Sequence, residues 1–369
     1  MTAAWLIAVL ALLFVLQMVL YRRWSLARLT YHRRFSKSMA TEGETIEMIE
    51  TLQNRKALPL PWIRIESRID QRLRFVQQQE LKISDQFHCS VFFLGAFQRI
   101  TRRHKVLCSH RGYYRLYQTS LTCGDLFGMN EKRMDLPGEV LLAVAPRIPD
   151  FSQLPESAMR LTGDLSARRW ILPDPILLSG IRDYQPQDDP KDIHWRATAR
   201  SSGLQVKVRD FTVSPKLVVV LNVQLSEELW DRMEPEEQEL VEPAVRCAAA
   251  LIDWAIGQGM EAGFVTNSEL VVPVEGEFFF APPRGGSAAQ ESLMLALSQL
   301  ELQRRVNFPT LLDRLAEQGL QGTDLAVISP YWNDTLEEKR RALQAGGNTV
   351  SVINMESGVI PHESAEAAS

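Results

Sequence analysis

The residues best suited to chemistry lie together between Ser179 and Phe211. Basic and acidic side chains are interleaved through this segment, and Tyr184 and Trp195 stand among them. The basic residues are Arg182, Lys191, Arg196, Arg200, Lys207 and Arg209, and the acidic residues are Asp183, Asp188, Asp189, Asp192 and Asp210. Such a mixture favours an ion network that fixes a loop between domains. Its functional interpretation is a docking or ligand surface, and a solvated charged loop is the alternative.

Catalysis has one candidate group in this segment. His194 with Asp188 or Asp192 would form a general base and its orienting carboxylate. No Ser or Cys in a nucleophile-elbow context accompanies it, and a lone histidine near an aspartate is usually structural. We therefore expect no catalytic residue, and a hydrolase that uses His194 and Asp188 remains an alternative.

Composition bears on several other classes of protein. Lys and Arg total 41 against 45 for Asp and Glu, so the net charge is −4 and a nucleic-acid partner is not expected. The four cysteines form no C-x-x-C pair and no zinc spacing, which favours small buried thiols without a metal or cofactor. The sequence also has no G-x-x-x-x-G-K-S/T phosphate loop.

The first residues of the chain predict a membrane anchor. Residues 3–20 form an apolar run whose one polar member is Gln17, and as a helix they would extend about 27 Å, close to the hydrocarbon thickness of a bilayer. A signal peptide is the alternative. However, no basic residue precedes the run, and 21–24 (Tyr-Arg-Arg-Trp) follows it where a small-residue cleavage site would stand. We expect helix 3–20 to be retained in the lipid bilayer.

The charges beside this run predict its orientation. Six basic residues and no acidic residue lie between Tyr21 and Ala40, and positively charged flanks stay in the cytoplasm. No second apolar run is long enough to span a bilayer. We expect a single-pass protein of the inner (plasma) membrane whose C-terminal domains are cytoplasmic.

The rest of the chain divides by its hydrophobic pattern. Short strand-like runs with turn residues between them predict a β-sandwich over 41–150. Residues 151–212, which are polar and rich in Pro and Asp, are expected to form an irregular connecting segment. Apolar strands alternating with helices predict an α/β domain over 213–355 with a mainly parallel sheet. The small polar residues 356–369 are expected to form a frayed tail.

A string within the charged segment resembles the signature of a bacterial family, domain of unknown function 58. The family pattern is roughly R-x-Y-x-x-G-D-x-x-R-x-I-x-W-x-x-S/T-A-R. The agreeing residues are Arg182, Tyr184, Asp188, Ile193, Trp195, Thr198, Ala199 and Arg200. Gln187 stands where Gly is usual, and Lys191 stands where Arg is usual and lacks the bidentate guanidinium. Landmarks at 97–103, 111–114 and 124–128 extend the resemblance over most of the chain.

The resemblance implies a fold and a partner. The implied fold class is α/β plus β: an N-terminal transmembrane helix, a small β-sandwich, and a von Willebrand A-like doubly wound α/β domain. Proteins of this family are typically encoded beside MoxR-type AAA+ ATPases and are thought to act with them, and no enzymatic activity is established for the family. We expect a scaffold that docks such an ATPase in assembly or maturation of a protein complex. The expected docking or interdomain residues are Arg182, Tyr184, Asp188, Lys191, Trp195 and Arg200.

A von Willebrand A-like domain also raises the question of a bound cation. Such domains often bind a divalent cation through D-x-S-x-S after their first strand, because hard cations prefer oxygen ligands. Here Asn222 replaces the Asp and Gln224 replaces the first Ser after strand 217–221, and Ser226 alone remains. We therefore expect no metal site, and a metal-dependent adhesion module is the remaining alternative.

Overall fold

The protein is described by a computed structural model that falls into two compact units. The first unit comprises residues 1–147 with 297–299, and the second comprises 148–296 with 300–369. The described residues are 2–70, 72–76, 87–117, 119–125, 127–171, 178–185, 188–201, 203–209, 215–227 and 233–355. The tail expected at 356–369, Gln187 and Asp210 lie outside the described residues.

The described residues contain an apolar N-terminal helix and mixed α/β structure with several sheets, which confirms the fold class at that level. The helices are α1 Thr2–Trp24, α2 Glu156–Ile171, α3 Trp195–Thr198, α4 Pro235–Gly257, α5 Ser287–Ser298, α6 Phe308–Glu317 and α7 Asp334–Ala345.

The strands fall into two groups along the chain. Those of the first unit are β1 Leu29–Phe35, β2 Met39–Thr41, β3 Thr45–Asn54, β4 Leu60–Arg68, β5 Leu73–Phe75, β6 Phe87–Leu94, β7 Arg99–Cys108, β8 Gly112–Leu116, β9 Thr119–Gly124, β10 Glu131–Leu136 and β11 Val140–Ala145. Those of the second unit are β12 Leu178–Asp183, β13 Gln205–Arg209, β14 Lys216–Leu221, β15 Glu261–Thr266, β16 Ser268–Leu270, β17 Phe279–Arg284, β18 Leu300–Arg304, β19 Asp324–Ser329 and β20 Thr349–Asn354.

The described residues of the first unit form three small sheets, with strand orders β1-β3-β7-β5, β10-β9-β4-β6 and β2-β11-β8. Strand structure begins at Leu29, before the predicted start at residue 41, so Arg33 and Arg34 belong to β1. Alternating apolar side chains bury two clusters, one around Met48 and Val106 and one around Ile63 and Leu121. The register is set by these faces, because a one-residue slip would turn every buried side chain outward.

Helix α1 is long and apolar enough to cross a membrane, judged by length and composition. The window Trp5–Trp24 has a mean hydropathy of 2.1, and 6% of it is buried. Its last turn is different, since Tyr21 and, just beyond the helix, Leu26 are buried in the first unit.

Hydrogen bonds fix the end of α1 to the first unit. The Tyr21 hydroxyl donates to the Pro59 carbonyl at 3.0 Å. The buried Lys56 ammonium donates to the carbonyl oxygens of Ser25 at 2.5 Å and Ala27 at 2.9 Å. Burial lowers the pKa of Lys56 from 10.5 to about 8. The helix therefore leaves the unit in a defined direction.

Replacing Lys56 tests this junction. Lys56→Met leaves two carbonyl groups without their donor, and we expect a loss of about 1–3 kcal/mol in the free energy of unfolding. The pKa of Lys56 is lower in the folded state than in the unfolded state, so the unfolded state binds more protons between pH about 8 and 10.5. The free energy of unfolding of the wild type should therefore increase, relative to that of the variant, as pH rises through that window. Thermal unfolding in detergent measures both effects. Lys132→Met, an exposed change on β10, is the control. A stability difference that does not vary with pH would contradict the assignment.

The second unit contains a five-stranded sheet of order β17-β15-β14-β19-β20. Strands β14, β15, β19 and β20 pair in parallel, and β17 is antiparallel to β15. In the central strand, Val219 stands opposite Phe264 on one side and Ala326 on the other. These strands are apolar on both faces because helices cover both faces. Val218 and Val220 pack with α6 and α7, and α4 contacts the sheet from the other face.

Helix α2 and the pair β12–β13 correct the expectation that 151–212 is irregular. Among the α2 side chains that the structure describes, the buried apolar ones are Ala158, Leu161 and Leu165. Packing against β20 and α4 stabilises this helix, and such contacts leave no strong local pattern.

Three of the four cysteines are buried, as expected, and Cys89 is partly exposed. All four are free, and Cys108, Cys123 and Cys247 are buried. Burial raises the pKa of the Cys108 thiol to about 11 and that of Cys247 to about 12, so both are inert neutral side chains.

Candidate functional site

The charged segment forms an excursion between two paired strands. Strand β12 runs antiparallel to β13, with Arg182 opposite Val206 and Asp183 opposite Gln205. The residues between them include a 3₁₀ turn at Pro190–Asp192 and the single turn of α3. The strand pair therefore holds both ends of the segment in place.

A bidentate ion pair braces the first half of the excursion. Arg182 donates from Nη1 to Asp188 Oδ2 at 2.7 Å and from Nη2 to Oδ1 at 2.6 Å. Asp188 Oδ2 also accepts from the Gln185 amide at 2.8 Å, and the Asp188 carbonyl accepts from the Tyr184 hydroxyl at 3.4 Å. The hydrogen bonds from Arg182, followed by that from Gln185, hold the pKa of Asp188 below its ordinary value. Three of the six predicted residues thus brace one loop.

Backbone contacts fix the second half. Ile193 is buried and forms a bridge with Val206, and the His194 amide donates to the Gln205 carbonyl at 2.7 Å. The Thr198 hydroxyl oxygen accepts from the Gln205 amide at 3.0 Å. His194 Nδ1 accepts from the Ala197 amide at 3.0 Å and so caps α3. The imidazole therefore has a structural role at the start of the helix.

The remaining predicted residues face solvent. Trp195 is 68% exposed, an unusual position for a large apolar side chain. Arg200 is exposed, as is Lys191, whose ammonium lies 2.7 Å from the Asp189 carboxylate. The segment therefore has a braced interior and three exposed side chains at Trp195, Lys191 and Arg200, which together we call the Trp195 face.

The alternative hydrolase has no assembled pair. His194 Nδ1 is directed at the Ala197 amide, and Asp188 is held by Arg182 and Gln185. No hydrogen bond joins His194 to Asp188 in the part of the chain that the structure describes. His194 and Asp188 are therefore each engaged by other groups of the same loop.

A second polar group lies at the carboxyl ends of β14, β15 and β19. Asn222 Oδ1 accepts from the Gln224 amide at 2.9 Å and from Asn267 Nδ2 at 3.0 Å, and its Nδ2 donates to Ser329 Oγ at 2.9 Å. Asn267 Oδ1 accepts from the Val223 amide at 2.9 Å. Gln224 is directed elsewhere, at the carbonyls of Ser226 and Glu227. We call Asn222, Asn267 and Ser329 the amide network.

The amide network occupies the place where open α/β sheets bind ligands. Strand β14 connects to β15 on one side and later to β19 on the other, so the strand order reverses beside β14. Asn222, Asn267 and Ser329 are all 0% exposed. No group of three or more His, Cys, Asp or Glu in the described ranges could hold a metal ion. The oxygens at this position are bound to the protein's own donors.

Comparison with protein families gives a match in the second unit. Residues 180–363, about half of the chain, match the family described as "Protein of unknown function DUF58". The chain belongs to the DUF58 family. The match begins two residues before Arg182, so the whole signature string and the five-stranded sheet lie inside the DUF58 region.

Solved structures resemble the chain only slightly. The full-length major pilin SpaD from Corynebacterium diphtheriae has 9% identity and a TM-score of 0.25, over 31% of this chain and 35% of the pilin. A cohesin module from Clostridium perfringens has 8% identity and a TM-score of 0.25, over 32% of this chain and 98% of the module. The chain thus spans about a third of the pilin. No curated protein matches the chain significantly.

Two residues of the amide network could have been found from the sequence. Asn267 follows the apolar strand β15 directly, and Ser329 ends β19. Polar residues at the carboxyl ends of parallel strands meet at one edge of a sheet. A polar residue placed directly after an apolar run therefore indicates a position at this edge. The local pattern could not show that β14 lies between β15 and β19 in the sheet.

The brace in the DUF58 segment can be tested by amide hydrogen exchange. Arg182→Gln removes both hydrogen bonds to Asp188, and we expect exchange in 184–204 to increase several-fold. Arg196→Gln makes the same charge change at an exposed position of this segment and should leave exchange unaltered. Because the folded-state pKa of Asp188 is lowered, the brace persists above the ordinary aspartate pKa and weakens as pH falls through the lowered value. Equal exchange in the two variants would refute the brace.

The amide network can be tested by stability. Asn222→Ala leaves the Gln224 amide and Asn267 Nδ2 buried without an acceptor, and we expect a loss of about 2–4 kcal/mol in the free energy of unfolding. Gln344→Ala, an exposed amide-to-methyl change on α7, should alter stability by less than about 0.5 kcal/mol. Chemical denaturation followed by circular dichroism measures both. A similar small loss in both variants would show that the network contributes little.

Proposed function

We propose that this DUF58 protein is a membrane-anchored docking protein whose Trp195 face binds a protein partner. The observation that carries the proposal is the 68% exposure of Trp195 on a loop braced by Arg182 and Asp188. A large aromatic side chain held outward on a fixed loop loses little conformational entropy on binding. Trp and Arg are also the residues that most often dominate binding energies at protein interfaces.

The partner we propose is a MoxR-type AAA+ ATPase. The resemblance to DUF58 proteins, typically encoded beside such ATPases, supports this choice. The chain has no phosphate loop of its own, so ATP hydrolysis would belong to the partner. Lys191 is paired with Asp189, so Arg200 and Trp195 are the groups we assign to recognition, and a partner surface with an acidic residue and an apolar pocket would complement them.

We further propose that the second unit is von Willebrand A-like and doubly wound. The parallel strands, the strand order that reverses beside β14, and helices on both faces of the sheet support this assignment. In this proposal the amide network takes the place of the cation ligands, so partner binding would be independent of Mg²⁺. A hydrolase and a metal-dependent adhesion module have less support, because His194, Asn222 and Gln224 are engaged by protein groups.

Helix α1 would hold both units at the inner membrane with the units in the cytoplasm. Its length and mean hydropathy support a single span, and the six basic residues that follow the apolar run support this orientation. The protein would then present the Trp195 face to a soluble ATPase near the membrane surface.

The partner proposal is tested by binding of the purified ATPase to the full chain in nanodiscs. Trp195→Ala and Arg200→Ala should each weaken the affinity by about tenfold or more, as expected for central interface residues. Leu240→Ala and Arg160→Ala, which truncate exposed side chains on α4 and α2 of the same unit, should bind like the wild type. Biolayer interferometry supplies the dissociation constants. Unchanged affinity in the Trp195 and Arg200 variants, or no binding by the wild type, would overturn the proposal.

A further inference from the structure

The loop between β9 and β10 carries two exposed apolar side chains. Phe127 is 64% exposed and Met129 is 68% exposed, and both lie at the tip of this loop. Leu126 lies outside the described residues. Apolar side chains grouped at a loop tip are unfavourable in water and mark a surface that is covered in use.

This loop lies beside α1, within the same unit. The ring centroids of Phe127 and Phe14 are 5.3 Å apart. A groove between them is lined by one face of the helix, at Ile7, Leu10, Ala11, Leu13, Phe14 and Gln17. Phe14 precedes Tyr21 by seven residues, which places it about 10 Å along the helix axis from the end fixed to the first unit. The loop tip thus reaches the level of the apolar part of α1.

The loop pairs the backbone amides of Phe127, Gly128 and Met129 internally. The buried Asp125 carboxylate accepts from the Phe127 amide at 3.2 Å, the Met129 amide at 2.9 Å and Asn130 Nδ2 at 3.2 Å. The Asp125 carbonyl accepts from the Gly128 amide at 3.2 Å. Burial acts to raise the pKa of Asp125, and the hydrogen bonds from Asn130, Met129 and Phe127 bring it below the ordinary value. Pairing these amides lowers the cost of moving the loop tip out of water, because an unpaired amide is costly in an apolar medium.

Two glycines and a tryptophan give the loop its form. Trp62 Nε1 donates to the Asp125 carbonyl at 3.2 Å. A Cβ on Gly124 would lie 2.4 Å from Trp62 Cζ2, so only glycine permits this packing. Gly128 has a φ of +69° at the tip, a backbone conformation that favours glycine. The tip is therefore held in a fixed shape.

Aromatic and cationic residues surround the same end of the unit. Trp24 is 53% exposed and Phe97 is 70% exposed. The Phe97 amide donates to the carbonyl of Lys56, the residue that fixes the end of α1, at 3.1 Å. Arg22 and Arg23 are exposed beside Trp24. Aromatic rings and arginines are the side chains that proteins place among lipid headgroups.

We propose that the tip of this loop, Phe127 and Met129, inserts into the membrane leaflet from which α1 emerges, beneath anionic phospholipid headgroups. The inference rests on the proposed membrane anchoring and adds a second contact with lipid. Helix and loop together fix the orientation of the first unit on the membrane, which a single helix does not. An insertion of about 10 Å is within the depth that interfacial apolar segments reach.

The test uses the full chain with Cys89→Ser, labelled at single introduced cysteines with an environment-sensitive fluorophore. Phe127→Cys reports the tip, and Met129→Cys is a second tip position. Leu10→Cys reports the anchor. Tyr117→Cys is the control, since Tyr117 is 52% exposed and precedes the start of β9, at the opposite end of that strand from the loop. Each variant is placed in nanodiscs of phosphatidylcholine and phosphatidylglycerol, with or without acyl-chain nitroxide lipids.

We expect nitroxide lipids to lower the fluorescence at positions 127, 129 and 10 by about half and to leave position 117 unaffected. Quenching at position 10 without quenching at 127 and 129 would overturn loop insertion and leave the anchor intact. No quenching at position 10 would overturn the anchoring itself. If the fluorescence at positions 127 and 129 is unchanged by nitroxide lipids but changes with the number of chains per disc, a second copy of the chain covers the loop. That result would also overturn the proposal.

Discussion

Backbone amides that leave a strand or helix end need an acceptor, and in this protein short polar side chains supply it at each position of interest. Asp188 accepts from Arg182 and from a backbone amide, and Asp125 accepts from two amides and a side chain. Asn222 does the same at the edge of the sheet. Because unpaired donors are costly when buried, these acceptors decide which loop conformations are stable.

This internal pairing determines which side chains of the loops remain exposed. In the segment 179–211, the polar groups of Arg182, Asp188 and Thr198 are used within the loop, while Trp195 stays 68% exposed. In the loop after β9, Asp125 pairs the amides while Phe127 stays 64% exposed. A loop that is fixed by internal polar contacts can present an aromatic side chain to solvent. Such a loop loses little conformational entropy on binding. Both loops therefore combine an internally paired backbone with an exposed aromatic side chain.

At the edge of the parallel sheet, it matters whether the buried polar side chains are neutral amides or charged carboxylates. Carboxylates gathered there would repel one another and need a cation to balance them. Asn222 and Asn267 are neutral and pair with each other, so the buried position is stable with the groups that the chain itself provides. This physical difference explains why Asn222 and Asn267 are stable when fully buried at this edge.

Local sequence was sufficient for features that depend on neighbouring residues. The apolar run of α1, the apolar strand β14, the amphipathic pattern of α7 and the spacing of Arg182 to Arg200 can all be read along the chain. The irregular segment predicted at 151–212 was wrong because α2 depends on packing rather than on a strong period of its own.

Only the tertiary structure decided the contacts between residues that are distant in the sequence. Asn222 and Ser329 are 107 positions apart, and Lys56 reaches back 31 positions to Ser25. The ring contact of Phe14 with Phe127 and the brace between Arg182 and Asp188 likewise depend on how strands pair. Periodicity and spacing describe which face of an element is apolar, whereas strand order decides which distant polar groups meet. For that reason the sequence by itself determined the elements and the signature, and the fold determined which of the signature residues are bound inside and which face solvent.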